Sequence, residues 1–508
     1  MPAPAQAAPA RDGRTADLDE LIGGALGHAG PSTAVPQPPG SPPVEAPAPN
    51  REGYADWGVR EQIDTATDPI STFGVDVDTG SYSLVRRKIL EGQPVPPAAV
   101  RVEEFLNYFS YSYAPPLDER PFAVHFEAAP SPFAPGRDLL RVALKARVVP
   151  PAARKKVHLV FLVDVSGSMD SPDKLPLAQR SLRILTENLR PGDTVALVTY
   201  AGSTRVVLEP TGVEDRRRIL AAIDELTAGG STAMGSGIEL AYQLAIRRVR
   251  ADAVSRVVVL SDGDANVGNT SHDAILATIQ GHVHEGVTLS TVGFGTGNYQ
   301  DTLMEQLADR GNGNYSYIDS LAQARRVFEE QLSGTLEVVA QDVKVQVEFD
   351  PRAVRTYRLI GYENRFIADR DFSNDRVDSG DVGAGHAVTA LYEIQRAPSA
   401  QSLGTVRIRA KQPGGSISVE HVYPFPIEAL RSSFASASAD FRLAAAVMGL
   451  AEILRRSPYA AGVRLEAVRE LAQSAASSGD RDRQEFLELV DTLARRPAAD
   501  AESPPGRR

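Results

Sequence analysis

Residues 157–163 read Val-His-Leu-Val-Phe-Leu-Val, and Asp164, Ser166 and Ser168 follow at once in an Asp-x-Ser-x-Ser spacing. An apolar run without alternation marks a strand buried on both faces, the habit of parallel sheets covered by helices on either side. In open α/β sheets, ligands bind in the crevice beyond the carboxyl ends of the strands. One carboxylate and two hydroxyls therefore arrive at the edge where such a fold places its chemistry. All three are hard oxygen donors, suited to magnesium, manganese or calcium and ill suited to zinc or copper. A second run, Val257-Val258-Val259-Leu260, leads into Ser261-Asp262-Gly263. A third piece, Gly229-Gly230-Ser231-Thr232, is rich in turn residues and precedes an apolar-periodic helix.

Around these pieces strands and helices alternate. Strands are predicted at 157–163, 194–200, 205–208, 255–261, 287–293 and 314–318. Helices are predicted at 174–189, 215–226, 236–250, 273–284, 300–309 and 320–332. This order predicts a doubly wound α/β domain over 157–333. Strand-like alternation occurs on both sides of it, at 122–126 and 140–144 before, and at 343–349, 388–394, 406–409 and 417–422 after. Residues 121–156 and 335–430 are expected to form one β-sandwich into which the α/β domain is inserted. Two separate small sheets are the alternative. Residues 434–495 carry helical spacing (Phe441, Ala445 and Met448, then Phe486, Leu489 and Leu493), so a helical C-terminal segment is expected, its stripes serving as packing faces. Residues 51–120 form an ordered N-terminal segment with short helices near 81–91 and 100–108. Residues 1–50, dense in Pro and Ala, bury too little apolar surface to offset ordering entropy and read as a disordered linker. Residues 496–508 read as a frayed tail.

At 508 residues the chain exceeds what one core organises, and its charge of −11 disfavours nucleic acid and anionic membrane surfaces. The absence of cysteine excludes disulfides and thiolate metal sites. No apolar run is long enough for a transmembrane helix. Residues 1–10 lack the basic start and apolar stretch of a signal peptide. A surface tether through an upstream signal missing from this sequence is one expected role of the linker, and a tail without a role is the other. Extracytoplasmic placement, in the periplasm or at the cell surface, is favoured if such a signal exists, and cytoplasmic placement otherwise.

The three polar pieces together resemble the metal-ion-dependent adhesion site of the von Willebrand factor type A domain. That site takes a DxSxS loop after the first strand, a Thr from a second loop and an Asp ending the fourth strand. The resemblance implies that Asp164, Ser166, Ser168, Thr232 and Asp262 hold one divalent cation, Mg2+ or else Mn2+ or Ca2+. Thr232 lies five residues before Gly237-Ile238, as in integrin inserted domains. The stretches 71–82, 100–109 and 357–365 are similar to the flanking segments of bacterial YfbK-type proteins, and the likeness spans about 54 to 495. One departure is Ala233-Met234, where the family often holds Asn or Gly. By the resemblance, the hydroxyls bind metal directly and the aspartates directly or through water. An open coordination position then accepts an Asp or Glu from a protein partner. The expected function is metal-dependent protein binding, without turnover. An intracellular scaffold beside an AAA+ ATPase is the alternative, and a metal-assisted hydrolase a third reading. Such sites are often coupled to a shift of the domain's last helix, here 320–332.

Rival sites are weaker. The stretch 262–273 has Val267 where an EF-hand requires Gly. Asp76-Val77-Asp78-Thr79-Gly80 reads as a turn between a strand and a helix. His282 and His284 do not share a helical face and read as surface residues. Residues 293–298 are glycine-rich but lack the Lys-Ser/Thr pair of a P-loop and read as a turn. Neither a Gly-x-Ser-x-Gly elbow nor a His-Glu-x-x-His motif occurs.

Overall fold

The computed structural model describes residues 51–250, 252–264, 272–397, 402–477 and 479–495. The linker 1–50, the tail 496–508 and most of the calcium-like stretch after Asp264 lie outside the described residues.

Among the described residues, six strands form the α/β sheet. Their order is Tyr315–Tyr317, Val287–Gly293, Ala253–Ser261, Lys156–Asp164, Thr194–Tyr200 and Thr204–Gly212. All neighbours pair in parallel except the edge strand Thr204–Gly212, which is antiparallel and longer than its predicted 205–208. Lys156–Asp164 is central, with Val163 opposite Leu260 on one side and Asp164 opposite Tyr200 on the other. Its unbroken apolar run now has a cause. Val157, Leu159, Phe161 and Val163 face one helix layer, while Val160 and Leu162 face the other. Each such side chain contributes about 1.5–3 kcal/mol by leaving water, which no alternating sequence could provide on both faces.

One layer holds Leu175–Glu187 and Arg216–Asp224, and the other holds Met234–Ile246, His272–Val283 and Asp301–Arg310. The single helix predicted over 320–332 is in fact divided. Leu321–Arg325 is α-helical with Ser320 as its cap, Arg326–Glu330 is a π turn, and Leu332–Leu336 resumes the α geometry. The wide turn coincides with Arg326, whose guanidinium leaves the domain to donate to the Tyr108 carbonyl and to pair with Asp482. Such i→i+5 turns are invisible to an apolar-periodicity argument.

The flanking strands come from both sides of the α/β block. One antiparallel sheet runs Ile63–Asp64, Val354–Ile360, Ala387–Arg396, Asp138–Ala146 and Phe122–Pro130. A second contains Val382–Gly383, Val338–Phe349, Gly404–Lys411 and Ser418–Pro424, with Ile70–Gly74 also paired to Val338–Phe349. Phe73, Val345 and Ile408 of the second sheet share one buried cluster with Val142, Tyr357 and Tyr392 of the first.

Helix Ala439–Leu454 packs on Val102–Tyr108 and Arg481–Ala494 on Gly80–Leu90, while Leu465–Ala475 packs on both C-terminal neighbours. Phe486 also meets Phe109 edge-on at 5.4 Å between ring centres. No helix among the described residues is long and apolar enough to cross a membrane.

Candidate metal centre

Strand Lys156–Asp164 ends on Asp164, and its neighbour Ala253–Ser261 ends one residue before Asp262. Parallel pairing therefore delivers both carboxylates to one edge of the sheet. Both are fully buried. Asp164 Oδ1 accepts from the Ser166 amide at 2.9 Å, and Oδ2 accepts from the Ser261 hydroxyl at 2.9 Å. The Gly263 amide donates to the same Ser261 oxygen at 2.9 Å, so Ser261 ties the two loops together. Asp262 Oδ1 accepts from the Asp264 amide at 3.0 Å. Burial, reinforced by the negative charge of Asp262, pushes the Asp164 carboxyl up to about 6. Two buried acids at one sheet edge raise each other's proton affinity, and a cation beside them would relieve that repulsion.

The hydroxyls of Ser166, Ser168 and Thr232 are the other oxygens expected to hold a metal. Ser166 and Ser168 place their Oγ atoms 3.1 Å apart. Thr232 is buried beside them through its loop. The Gly229 amide donates to the Val165 carbonyl at 2.7 Å, and the Gly167 amide donates to the Gly230 carbonyl at 3.0 Å. Among the described residues no hydrogen bond joins the Thr232 hydroxyl to the other four side chains. Its position comes from this docking and from the helix Met234–Ile246 behind it. Gly237 lets that helix lie close, since a Cβ there would sit 3.0 Å from Leu162 Cδ1 and from Tyr200 Cβ. Gly263 has φ +75° and a Cβ there would lie 2.9 Å from the Gln300 carbonyl oxygen, so a side chain is excluded on both counts. Gly167 lies outside the left-handed region. Two carboxylates and three hydroxyls, all hard oxygens, match the preference of magnesium or calcium rather than of softer metals.

Two residues of this edge escape sequence reasoning. The Lys174 ammonium donates to Ser168 O at 3.0 Å, to Asp262 Oδ2 at 3.0 Å and to Asn298 Oδ1 at 2.7 Å. Asn298 Nδ2 donates to Asp262 Oδ2 at 3.0 Å and to Asp264 at 3.3 Å. Asn298 lies in the glycine-rich stretch expected to be a plain turn. Of the rival sites, Asp76 Oδ1 accepts from the Asp78 amide at 2.9 Å in a turn that leads into helix Gly80–Leu90. His282 stacks on Tyr242 and bonds Glu285 at the surface. Among the described residues no three His, Asp or Glu side chains group to hold a metal.

Known proteins are similar to this chain along most of its length. The von Willebrand factor type A domain model matches residues 158–330, and a second von Willebrand factor model matches 48–141. The model described as "Uncharacterized protein YfbK, C-terminal" matches 334–495. The Escherichia coli (strain K12) protein described as "Uncharacterized protein YfbK" is 39% identical over 454 residues, covering 84% of this chain and 78% of that protein. The chain belongs to the YfbK family. A UPF0353 protein of Mycolicibacterium vanbaalenii is similar over a shorter range, 30% identical over 221 residues, covering 38% of this chain and 64% of its own length. Among solved structures, the von Willebrand factor type A protein from Catenulispora acidiphila aligns with TM-score 0.45 and 20% identity, over 75% of this chain and 91% of that one. In this YfbK-family chain the type A domain contains all five expected metal-site residues, Asp164, Ser166, Ser168, Thr232 and Asp262. Lys174 and Asn298 fall within the same matched domain.

Proposed function

We propose that this YfbK-family protein is a metal-dependent protein-binding module that captures an acidic residue of a partner. The observation that carries this reading is the convergence of Asp164 and Asp262, both buried, at the carboxyl edge of two adjacent parallel strands. Asp164, Ser166, Ser168, Thr232 and Asp262 would hold the cation, with Mg2+ favoured and Mn2+ or Ca2+ as substitutes. When bound, such a cation offers an electrophilic coordination position to an incoming carboxylate. The chain's own part is to supply two charges and three neutral oxygens, so that a dication would be balanced with no negative charge to spare and would still accept a further carboxylate. Ser261 holds Asp164 in place, and the docked loop 229–232 brings in the Thr232 hydroxyl. In the same reading the two flanking sheets act as one β-sandwich that presents the type A domain.

The test is a pull-down from native extract in Mg2+, repeated with chelator and with Asp164→Ala. Capture that requires Mg2+ and disappears in the variant is expected. Capture indifferent to chelator would overturn the proposal.

A further inference from the structure

Lys174 is built into the metal edge. Its ammonium has three protons, and each finds an acceptor on a different loop: Ser168 O, Asp262 Oδ2 and Asn298 Oδ1. The side chain is 8% exposed. Its stem lies against Gly295, where φ is +76° and a Cβ would come within 2.3 Å of Lys174 Cε. The loop after strand Val287–Gly293 thus makes room for this side chain, and Asn298 holds its end.

We propose that Lys174 is a resident cation of the centre that holds its affinity for divalent metal low until an acidic partner is also present. The inference rests on the metal-binding reading above. Asp262 Oδ2 already accepts from Lys174 and Asn298, which fills its two lone pairs. Only Oδ1 of Asp262 retains capacity for a metal. Two carboxylates and one ammonium sum to −1, half the charge that the five-residue donor set has without Lys174. A dication entering beside the ammonium meets a like charge in a water-poor site, where screening is weak. A partner's carboxylate supplies the missing negative charge, so metal and partner bind cooperatively, each raising the other's affinity by the same factor. In the absence of metal, Lys174 keeps three loops assembled and prevents two buried acids from standing alone.

Calorimetric titration of the full chain with MgCl2, for wild type and Lys174→Gln, tests this. Glutamine keeps an amide donor toward Asp262 and removes the charge. The variant is expected to bind Mg2+ about tenfold or more tightly, in line with the loss of one adjacent like charge. Its melting temperature in chelator should be lower than that of wild type, and its rise on adding Mg2+ larger. Equal or weaker Mg2+ binding by Lys174→Gln would overturn the inference and leave the metal site standing. Absence of Mg2+ binding in both proteins would remove the metal site itself, and this inference with it. If Lys174→Gln is not recovered folded without metal, Lys174→Met, which keeps an unbranched stem against Gly295 and removes the charge, carries the same expectation and the same power to refute.

Discussion

At the scale of single residues, Thr232 is where hydroxyl chemistry can be separated from packing. It is buried, its hydroxyl has no hydrogen bond to the other four site residues, and backbone contacts of Gly229 and Gly230 hold its loop. Thr232→Ala is therefore expected to abolish Mg2+-dependent partner capture while lowering stability by no more than about 1 kcal/mol. Thr232→Ser, which keeps the oxygen, is expected to retain capture. Parallel pull-downs and denaturant melts of the two variants check this, and equal capture by both would remove Thr232 from the site. The placement of Asp164 and Asp262 is legible in the sequence because each follows an apolar run that can only be a doubly buried strand. Lys174 and Asn298 are not legible in that way. Their bonds to Asp262 span 88 and 36 residues, and no local spacing encodes which loop a lysine will cross.

At the scale of elements, helix Met234–Ile246 positions Thr232, and Gly237 sets how closely that helix approaches the sheet. Gly237→Ala inserts a methyl against Leu162 and Tyr200 at 3.0 Å, and overpacking of this kind costs about 1–3 kcal/mol. Denaturant unfolding should show that loss together with weakened Mg2+ binding; a stabilised variant would mean that the neighbours give way freely. The end of the type A domain is pinned differently. Arg86 pairs with Asp319 at 2.7 Å, both side chains almost buried, and also reaches Glu485 on the C-terminal helix Arg481–Ala494. Removing one partner of a buried pair leaves a charge without compensation, so Arg86→Ala should cost about 3–5 kcal/mol in the same assay. A loss below 1 kcal/mol would show that Asp319 finds another partner. A helix at 320–332 was legible from the alternation of strands and helices, but its continuation to Leu336 was not. Its π turn was not, since it coincides with Arg326 reaching Tyr108 and Asp482 in segments more than 150 residues away on either side.

At the scale of the whole molecule, the flanking segments and the type A domain meet through buried acids. Helix Val102–Tyr108 was recognisable by its apolar stripe, Val102, Phe105 and Leu106. The burial of Glu103 and Glu104 on the same helix was not, since glutamate is rarely buried and the partners are remote. Glu104 accepts from the Ser81 amide at 2.8 Å and pairs with Arg101, which continues to Asp301 at 2.5 Å on the type A domain. Glu103 accepts from the Tyr362 amide at 2.9 Å. Burial pushes Glu103 up to about 8, with the charges of Glu363 and Asp76 adding to it. Burial likewise lifts Glu104 to about 7, although Arg101 opposes the rise. The sign of the linkage follows. A carboxyl whose folded value exceeds the ordinary 4.5 binds its proton more tightly in the folded chain. Its favourable contribution is complete below about pH 4.5 and is lost as pH rises through 7 and 8. Stability should therefore fall as pH rises from 5 to 8.5. Glu103→Gln removes one of the titrating groups and keeps a carbonyl for the Tyr362 amide, so its stability should decline less steeply over that range. Urea unfolding of both proteins at pH 5, 7 and 8.5 measures the two slopes. Identical slopes would mean that the pH dependence of the junction resides in the other buried acids, Glu305 and Asp78 foremost, whose carboxyls burial also raises.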